Sequence, residues 1–420
     1  MTGGKGARVL QNRGERIPRP WCIVLSNSLD FCEIGCIIVV YVYSHKYMHR
    51  RQIAQIKRDL KKKMVFIVGP RQVGKTWLAR EIGKEYKFPV YLSYDRAEDR
   101  AIIKSETWPQ KTDLLILDEL HKMKGWKNYL KGIFDTKEPQ LNILVTGSAR
   151  LDTFRKSGDS LAGRFFLHHL LPFSLSELNA SKTSYPIERF IQRGGFPEPF
   201  LASRQQDADR WRSQYTEGLI RYDILDFEQV HNFQAIQMVL DLLRRKVGSP
   251  ISYASIAEDV QISPATVKRY VEIFESLYIV FRVAPFSKNI ARSILKEPKL
   301  YFFDTGLVIG DDGAKFENFV ALSLLKHSLG ESDRTGKKHS LGYLRTKDEK
   351  EVDFSLAEDN KISRIIEVKL TDGTLSNNLI YFSKRYSFKA TQLVKELKRE
   401  RTIGEIEIVS AENFLKELFL

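Results

Sequence analysis

The stretch Val65–Trp77 reads VFIVGPRQVGKTW, and it decides the fold of the chain around it. Its first four residues are apolar and predict a short buried strand, while Leu78, Ala79 and Ile82 recur at helical spacing after it. Between strand and helix lies the pattern G-x-x-x-x-G-K-T, which is typical of a phosphate-binding loop in this context. The residues of this loop are Gly69, Pro70, Arg71, Gln72, Val73, Gly74, Lys75 and Thr76.

The residue types of this loop predict a nucleotide site. Glycines let the backbone wrap closely around phosphates, and backbone N–H groups at a helix N-terminus supply positive potential. We expect Lys75 to reach the β- and γ-phosphates and Thr76 to place its hydroxyl on Mg²⁺. A chance glycine-rich turn is the alternative, but both flanks argue against it. The expected ligands are therefore ATP and Mg²⁺.

Length, charge and cysteine content narrow the class of protein. A chain of 420 residues exceeds one ordinary core, so two or three domains are expected. The net charge of +15 favours an anionic partner, with nucleic acid before a membrane surface. The three cysteines lie within the first 40 residues without zinc spacing or a disulfide framework, which fits a reducing cytoplasm.

Residues 1–47 do not resemble the rest of the chain. Their apolar run, Cys36–Tyr43, has eight residues and is too short to span a bilayer, which needs about 20. No small-residue cleavage site follows, so a secretory signal is not indicated and no membrane partner is expected. Our hypothesis is that the biological start is Met48, which opens a basic amphipathic lead-in. A disordered or hairpin-forming basic arm is the alternative.

From residue 64 to about residue 173, strand and helix signals alternate, which predicts a parallel sheet with covering helices. The predicted strands are 64–69, 91–95, 114–118, 142–147 and 165–171. The third ends in Asp118 and Glu119, next to where the phosphate loop is expected. We expect Asp118 to hold the Mg²⁺ water shell and Glu119 to polarise the attacking water. A solvent-facing charged strand end is the alternative.

Further polar residues follow the fourth strand and precede the fifth. Ser148 is a candidate γ-phosphate sensor, with a plain turn serine as the alternative. Arg164 can act as an arginine finger, in cis or across a subunit interface, or can be a surface salt-bridge residue. His168 and His169 are expected to be sheet residues, because no acid or cysteine has metal-ligand spacing with them.

These motifs, with later ones, resemble a known family. GPRQVGKT, LLILDE, TGSAR, LAGR followed by LPFSLSEL, and GGFPE occur in order, and TVKRYVEIFESLYIV, KLYFFDTGL, EVDF and EVK extend the match over roughly residues 50–370. The chain resembles the prokaryotic AAA-type ATPases that carry a C-terminal domain of unknown function. The resemblance implies an α/β architecture: an AAA-type P-loop sheet with a helical lid, a winged-helix domain and an α/β restriction-endonuclease-like domain.

We place the boundaries of these parts by composition and pattern. The expected order is a poorly structured extension, the P-loop ATPase core, the helical lid, the winged-helix domain and the endonuclease-like domain. Their ranges are 1–47, 48–173, 174–235, 236–312 and 313–420. Within the lid, Trp211, Tyr215, Leu219 and Tyr222 recur at helical spacing and are expected to be core residues.

The third part holds the candidate DNA contacts. A short helix over 252–259 and a turn precede Ser263, a good N-cap, and Pro264, which suits the first helical position. The helix 264–277 buries one apolar face and directs Thr266, Lys268 and Arg269 outward. Short residues and cations at the front of a second helix match a recognition helix in the major groove of double-stranded DNA. Residues 281–283 and 287–289 can form the wing beside it. A module used only for packing or protein contact is the alternative.

The last part carries a D-x₁₃-E-x-K pattern, which is that of a metal-dependent nuclease core. Asp353 and Glu367 can hold one Mg²⁺, Lys369 can orient water, and Glu317 can be a supporting acid. The strand period of two puts Glu367 and Lys369 on one face. An inherited fold without cleavage, or a stabilising Glu–Lys pair, is the alternative.

Taken together, the sequence predicts a cytoplasmic, Mg²⁺-dependent ATPase of AAA type that can form homo-oligomers. Three functions compete for its C-terminal parts. Hydrolysis can be coupled to DNA binding, the chain can be an ATP-gated switch that contacts protein, or it can be an endonuclease regulated by ATP. The net charge of +15 favours coupling to DNA, and the other two functions are the alternatives.

Overall fold

The apolar run before the phosphate loop forms β1 (Met64–Val68), in which every residue is buried. A computed structural model describes the chain over residues 50–147, 161–179, 185–223, 232–286 and 297–420. In it α1 (Ile53–Leu60) precedes β1, and α2 (Lys75–Gly83) follows the loop. The strand–loop–helix unit predicted from the sequence is present.

β1 lies inside a five-stranded sheet of order β2-β3-β4-β1-β5. The other strands are β2 (Pro89–Ser93), β3 (Leu114–Asp118), β4 (Asn142–Gly147) and β5 (Phe165–His169). All neighbouring strands are parallel, so their carboxyl ends meet at the edge where the loop lies. The predicted parallel sheet is confirmed, and the register places Asp118 opposite Thr146.

Three strands differ from the prediction at their ends, and the first of them, β1, ends at Val68 instead of residue 69. β2 begins at Pro89, two residues before the predicted start, because its pairing with β3 begins there. β5 ends at His169 instead of residue 171, although Leu170 N still donates a hydrogen bond to Val68 O. Helices α3 (Ala97–Ser105) and α4 (Trp126–Thr136) belong to the same part of the chain.

A mostly helical segment follows the first sheet. It contains α5 (Leu175–Asn179), α6 (Ile187–Arg193), α7 (Pro197–Leu201) and α8 (Gln205–Gly218), and α8 continues into a π-helical turn, Leu219–Asp223. The large side chains of Phe190, Phe196, Phe200 and Trp211 are buried in this segment. Their burial explains why short helices interrupted by Pro and Gly hold together.

Next come α9 (Phe233–Arg244), α10 (Tyr253–Val260), α11 (Pro264–Ser276) and the hairpin of β6 (Val280–Pro285) and β7 (Lys299–Phe302). Ser263 caps α11, since its Oγ accepts from Thr266 N at 3.1 Å. The predicted apolar face is buried at Val267, Val271 and Phe274 of α11, and at Leu277, which follows the last residue of the helix.

The hairpin is also the edge of an eight-stranded sheet, of order β12-β13-β11-β10-β9-β8-β6-β7. Its C-terminal strands are β8 (His339–Arg345), β9 (Glu351–Glu358), β10 (Lys361–Thr371), β11 (Ala390–Glu396), β12 (Arg401–Ile403) and β13 (Ile406–Ser410). The helices of this part are α12 (Asp312–Thr335), α13 (Asn377–Tyr386) and α14 (Ala411–Glu417). The strand β6, predicted as part of a wing, thus pairs with the C-terminal sheet at Ala284 and Gly342.

One apolar core runs from the helical segment into the C-terminal sheet. It includes Phe190 of α6, Phe319 of α12, Tyr343 of β8 and Leu415 of α14. Burial of this continuous surface ties the two parts together, because separating them would return it to water. Within the described ranges, no helix is long and apolar enough to cross a bilayer.

Three buried charges reinforce this junction, and we call them the Arg50–Glu177–Lys326 cluster. Arg50 Nη1 lies 2.9 Å from Glu177 Oε2, and the Lys326 ammonium also contacts that carboxylate. Lys326 Nζ donates to Pro172 O at 2.7 Å. Burial lowers the pKa of Lys326 to about 8, although Glu177 opposes the shift. The cluster joins residues that are 127 and 149 positions apart in the chain.

Candidate functional site

The phosphate loop begins with a backbone that only glycine suits. Gly69 has φ +149°, and a Cβ there would lie 2.0 Å from Leu170 O. The loop then crosses Gln72, which has φ 59°, and enters α2 at Lys75. The N-terminus of α2 therefore opens at the carboxyl edge of the sheet, as a phosphate site requires.

Lys75 is buried within this loop. Its Nζ donates to Gly69 O at 2.9 Å and to Pro70 O at 2.6 Å. Burial lowers the pKa of Lys75 to about 8, and the nearby Glu119 and Asp118 oppose the shift. Both partners are neutral carbonyls, so the ammonium retains its charge for an anionic ligand.

Asp118 stands at the end of β3 and is surrounded by hydroxyl groups. Thr76 Oγ1 donates to its Oδ2 at 2.9 Å, Tyr91 OH donates to the same oxygen at 2.6 Å, and Thr146 Oγ1 donates to Oδ1. Burial, followed by this hydrogen bond, raises the pKa of Tyr91 to about 12, so the phenol remains a donor. The two residues predicted to bind Mg²⁺, Thr76 and Asp118, are thus brought together.

Glu119 lies beside Asp118 in the left-handed region, with φ 55°. Its N–H donates to Thr146 O at 3.0 Å, which fixes the turn at the sheet edge. Burial raises the pKa of the Glu119 carboxyl, while Lys75 and Lys122 lower it in part. A carboxylate with a raised pKa beside the phosphate loop has the properties of a general base.

The residues around the loop fit a nucleotide with Mg²⁺. Mg²⁺ prefers oxygen ligands and keeps several of its waters, and Thr76 and Asp118 supply oxygens at one point. Lys75 and the N–H groups at the start of α2 would take the phosphate oxygens. The donor set therefore matches the chemistry that the sequence predicted.

The helical segment holds the loop from one side. Trp211 Nε1 of α8 donates to Gln72 Oε1 at 2.8 Å, and Tyr215 OH donates to Arg71 O at 3.3 Å. The two aromatic rings are stacked, with centroids 4.6 Å apart. Both residues are buried or half-buried as predicted, but they also bind the phosphate loop.

Arg50 holds the loop from another side. Its Nη2 donates to Val73 O at 2.7 Å, and its Nη1 donates to Leu171 O at 3.0 Å. The guanidinium also lies 4.3 Å from the centroid of the Phe173 ring. The Arg50–Glu177–Lys326 cluster thus reaches the loop backbone directly.

Of the two residues predicted to contact the γ-phosphate, the structure describes one. Ser148 lies outside the described residues. Arg164 pairs with Asp135 at 2.8 Å, so in this chain by itself it has the surface salt bridge that was one of its two predicted roles. His168 and His169 lie in β5 as predicted, and contact Asp59 and Asp333 respectively.

The candidate DNA residues lie at the front of α11. Lys268 and Arg269 are exposed, whereas Thr266 is half-buried and its hydroxyl contacts Ser263 Oγ at 2.8 Å. Arg282, in the predicted wing, pairs with Glu275. The remainder of the predicted wing, residues 287–289, lies outside the described residues.

The predicted nuclease-like residues lie near one another in the C-terminal part. Lys369 Nζ lies 2.9 Å from Glu367 Oε1, so these two side chains share a face of β10 as predicted. Asp353 Oδ2 accepts from Val368 N at 2.9 Å, and Glu317 Oε1 accepts from Tyr301 OH at 2.7 Å. Among the described residues no group of three His, Cys, Asp or Glu side chains has the geometry to hold a metal ion.

Sequence reasoning missed several members of both sites. Tyr91 and Thr146 lie inside strand patterns, and only the register of the sheet reveals that they meet Asp118. Lys299 and Glu351 were not singled out, although both are charged residues at the starts of apolar strands. A charged residue at the first position of an apolar strand was the sequence signal that could have identified both residues.

Comparison with known families divides the chain into three parts. Residues 61–179 match a family described as an AAA domain. Residues 185–311 and 312–414 match two domains of unknown function, DUF8612 and DUF4143. The first match supports an AAA-type P-loop ATPase with ATP as its ligand. The winged-helix and endonuclease-like assignments stay predictions.

Curated relatives share most of the chain. An uncharacterized protein of Mycobacterium tuberculosis is 26% identical over 313 residues, which are 70% of this chain and 67% of the relative. An uncharacterized protein of Methanocaldococcus jannaschii is 26% identical over 346 residues, covering 73% of this chain and 76% of the relative. The similarity thus extends well beyond the AAA match.

Solved structures are similar at a lower level. The Walker-type ATPase PABY2304 of Pyrococcus abyssi has 14% identity and a TM-score of 0.40, covering 61% of this chain and 93% of that chain. The RuvB protein of Thermotoga maritima has 14% identity and a TM-score of 0.29, covering 56% of this chain and 90% of that chain.

Proposed function

We propose that this chain is a Mg²⁺-dependent ATPase of AAA type that couples ATP binding and hydrolysis to a DNA-associated activity of its C-terminal parts. The observation that carries the ATPase proposal is the meeting of Thr76 and Asp118 at 2.9 Å, beside the loop that buries Lys75. The residues that would bind phosphate, hold the metal and activate water therefore lie at the same edge of the first sheet.

Each residue of this edge has a defined task in the proposal. Lys75 and the α2 N-terminus bind the β- and γ-phosphates, and Thr76 and Asp118 hold Mg²⁺ and its waters. When bound, Mg²⁺ neutralises charge on the phosphate oxygens. Glu119 accepts a proton from the attacking water, a role for which burial raises the pKa of its carboxyl.

Two sets of contacts would carry the state of the loop to the rest of the chain. Trp211 and Tyr215 bind Gln72 and Arg71 from α8, and Arg50 binds Val73 within the buried charge cluster. A nucleotide that moves the loop changes these hydrogen bonds, and its differential affinity for the two loop states shifts their populations. The helical segment and α12 are the elements placed to respond.

The ATPase is tested by hydrolysis and binding assays on the full chain. Lys75→Ala should lose nucleotide binding, whereas Glu119→Gln should bind ATP and hydrolyse it about 10²–10⁴-fold more slowly, since a general base is removed. Glu98→Gln, an exposed acid on α3, is the matched control and should hydrolyse ATP like the wild type. Wild-type hydrolysis by Lys75→Ala would refute the proposal.

The DNA-associated part rests on charge. The net charge is +15, and Lys268 and Arg269 are exposed at the front of α11. Measuring ATPase activity with and without duplex DNA tests the coupling. A DNA-binding chain should lose affinity steeply as salt rises, because neutralised phosphates release counterions. Lys268→Gln should reduce the salt slope by about 1, and Lys315→Gln on α12 is the control.

The alternative of an ATP-gated switch makes the opposite prediction. If the C-terminal parts contact protein, Lys268→Gln leaves DNA affinity unchanged and duplex DNA does not alter hydrolysis. Arg164 adds a test of assembly, since an arginine finger acting across a homo-oligomer would make activity depend on protein concentration. Arg164→Ala would then abolish that dependence.

A further inference from the structure

A second lysine lies among carboxyl groups in the C-terminal part. Lys299 opens β7, and its side chain is 2% exposed. Its Nζ lies 2.7 Å from Glu351 Oε1, 3.7 Å from Glu317 Oε1 and 3.9 Å from Asp353 Oδ1. We call this the Lys299 cluster and include in it Glu367, which lies within electrostatic reach of Asp353.

The surroundings hold the Lys299 ammonium in this position. Lys299 is the first residue of β7, an edge strand that pairs with β6. The residue after it, Leu300, is opposite Arg282. The ring of Tyr343 lies 5.4 Å from the ammonium. Gly248, with φ +77°, lets the backbone approach Glu317 so closely that a Cβ would lie 2.8 Å from the carboxylate. The backbone at Gly248 is therefore packed closely against the Glu317 carboxylate.

The carboxyl groups are committed in ways that do not suit a divalent metal. Glu317 accepts from Tyr301, Asp353 accepts from the Val368 N–H, and Glu367 Oε1 pairs with Lys369. Mg²⁺ demands near-ideal octahedral oxygen geometry and dehydrates reluctantly. The Lys299 ammonium, within 4 Å of the carboxylates of Glu317, Glu351 and Asp353, repels any incoming dication. The donor set thus does not fit the metal that a nuclease core would need.

We propose that the Lys299 ammonium is the resident cation of this cluster, so that the cluster binds no divalent metal while Lys299 is present and becomes a divalent-cation site when that charge is removed. It follows from this proposal that the chain is not an endonuclease with a catalytic metal at Asp353 and Glu367. This inference does not depend on the ATPase.

One further atom explains why removing the charge should create a site. Glu367 Oε2 is buried and, among the described residues, accepts no hydrogen bond. Glu367 as a whole is 6% exposed. A buried carboxylate oxygen that accepts no hydrogen bond is stabilised by binding a cation or a proton donor. The carboxylates of Glu367, Asp353 and Glu317 do not form a metal site in their present positions. Without Lys299 they face fewer opposing charges, so a divalent cation can draw their oxygens together.

The test measures Mn²⁺ binding to the full chain by electron paramagnetic resonance of the free ion. Every protein carries Asp118→Asn, which weakens metal binding at the phosphate loop. With Lys299 present, no Mn²⁺ should bind at the cluster. Adding Lys299→Met, which keeps the length of the side chain, should create one site per chain and tighten Mn²⁺ binding at least about a hundredfold. Adding Glu367→Gln should then remove that site.

Further variants keep the proposal open to refutation. Lys299→Arg retains the charge and should gain no Mn²⁺, which separates charge from packing. If Lys299→Met fails to fold, as judged by circular dichroism, Glu367→Gln in the chain that retains Lys299 decides. Loss of bound Mn²⁺ in that variant would show that the cluster already held a metal beside Lys299, and the proposal would be overturned. Unchanged Mn²⁺ binding would support it.

Discussion

Two lysines are buried at the edges of two sheets, and their partners differ. Lys75 donates to the neutral carbonyls of Gly69 and Pro70, and burial lowers its pKa to about 8. Burial also acts to lower the pKa of Lys299, but Glu317, Asp353 and Glu351 outweigh it and raise the pKa. A lysine held by carbonyls keeps its charge available for a ligand, whereas a lysine held by carboxylates is already neutralised.

The carboxylates of the two regions show the same difference. Asp118 receives its hydrogen bonds from the hydroxyls of Thr76, Tyr91 and Thr146, which are neutral. Asp353 lies near Lys299, and Glu367 pairs with Lys369. Neutral donors orient a carboxylate without cancelling its charge, so an external cation can still bind. The donor type, and not the number of acids, distinguishes an open cation site from a closed one.

The largest effect should come from the Arg50–Glu177–Lys326 cluster, whose three side chains are at most 3% exposed. Glu177→Gln leaves two buried cations without their carboxylate, so the free energy of unfolding should fall by about 3–5 kcal/mol. Chemical denaturation measures it. Glu412→Gln, which removes a surface pair with Lys416, should cost less than about 1 kcal/mol. Equal losses would mean that burial of the cluster adds nothing.

The second effect is the pH dependence of ATP affinity. Because the pKa of Lys75 is about 8 in the free protein, its ammonium loses its proton as the pH rises above 8. Phosphate binding favours the charged form, so affinity should fall by up to about tenfold per pH unit above 8 and be flat below it. Fluorescent ATP titrations from pH 7 to 9.5 measure this.

Lys75→Arg is the matched variant for the pH dependence. A guanidinium stays charged throughout this range, so any affinity that the variant retains should not change between pH 8 and 9.5. A flat profile in the wild type would mean that burial does not lower the pKa of Lys75 into this range.

A smaller effect is expected at the hydroxyl groups of Asp118. Tyr91→Phe removes one donor to a buried carboxylate and should destabilise the chain by about 1 kcal/mol. The Mg²⁺ concentration for half-maximal hydrolysis should rise a few-fold, because Asp118 is less well oriented. Tyr94→Phe is the control, since its hydroxyl makes no hydrogen bond within the part of the chain described. If the Mg²⁺ dependence is unchanged, Tyr91 does not affect metal binding at Asp118.

The smallest effect concerns Glu119. Lys122 lies 3.8 Å from its carboxylate and lowers its pKa, against the larger raising effect of burial. Lys122→Met should therefore raise the pKa further and move the acid limb of the kcat–pH profile to higher pH, by a fraction of a unit. Lys124→Met, two residues along the chain, should leave the limb in place. A shift to lower pH would contradict the role of Glu119 as base.

Much of the first sheet could be predicted because its signals are local. Residues 114–118 and 142–147 are apolar runs that form strands over those same residues, and the phosphate loop is contiguous. Asp118 and Thr76 could be assigned to one site from two local signals. The phosphate-loop motif predicts a metal-binding hydroxyl at Thr76, and an acidic residue at a strand end predicts a metal-binding carboxylate at Asp118. Parallel pairing then brings the two ends to the same edge.

The remaining contacts could not be predicted because no local pattern encodes them. Tyr91 meets Asp118 through the pairing of β2 with β3, and Arg50 meets Glu177 across 127 residues. Lys299 reaches Glu351 and Asp353 only because β7 and β9 belong to the same sheet. Such partners depend on tertiary register, which a one-residue slip would change.

The position of Lys326 has a consequence for synthesis of the protein. The phosphate loop is supported by Arg50, whose carboxylate partner Glu177 is shared with a lysine that the ribosome adds about 150 residues later. Until α12 emerges, Glu177 has one cation instead of two, and the apolar surface that α12 covers remains in water. We therefore expect the support that this cluster gives to the phosphate loop to be completed only in the last third of translation.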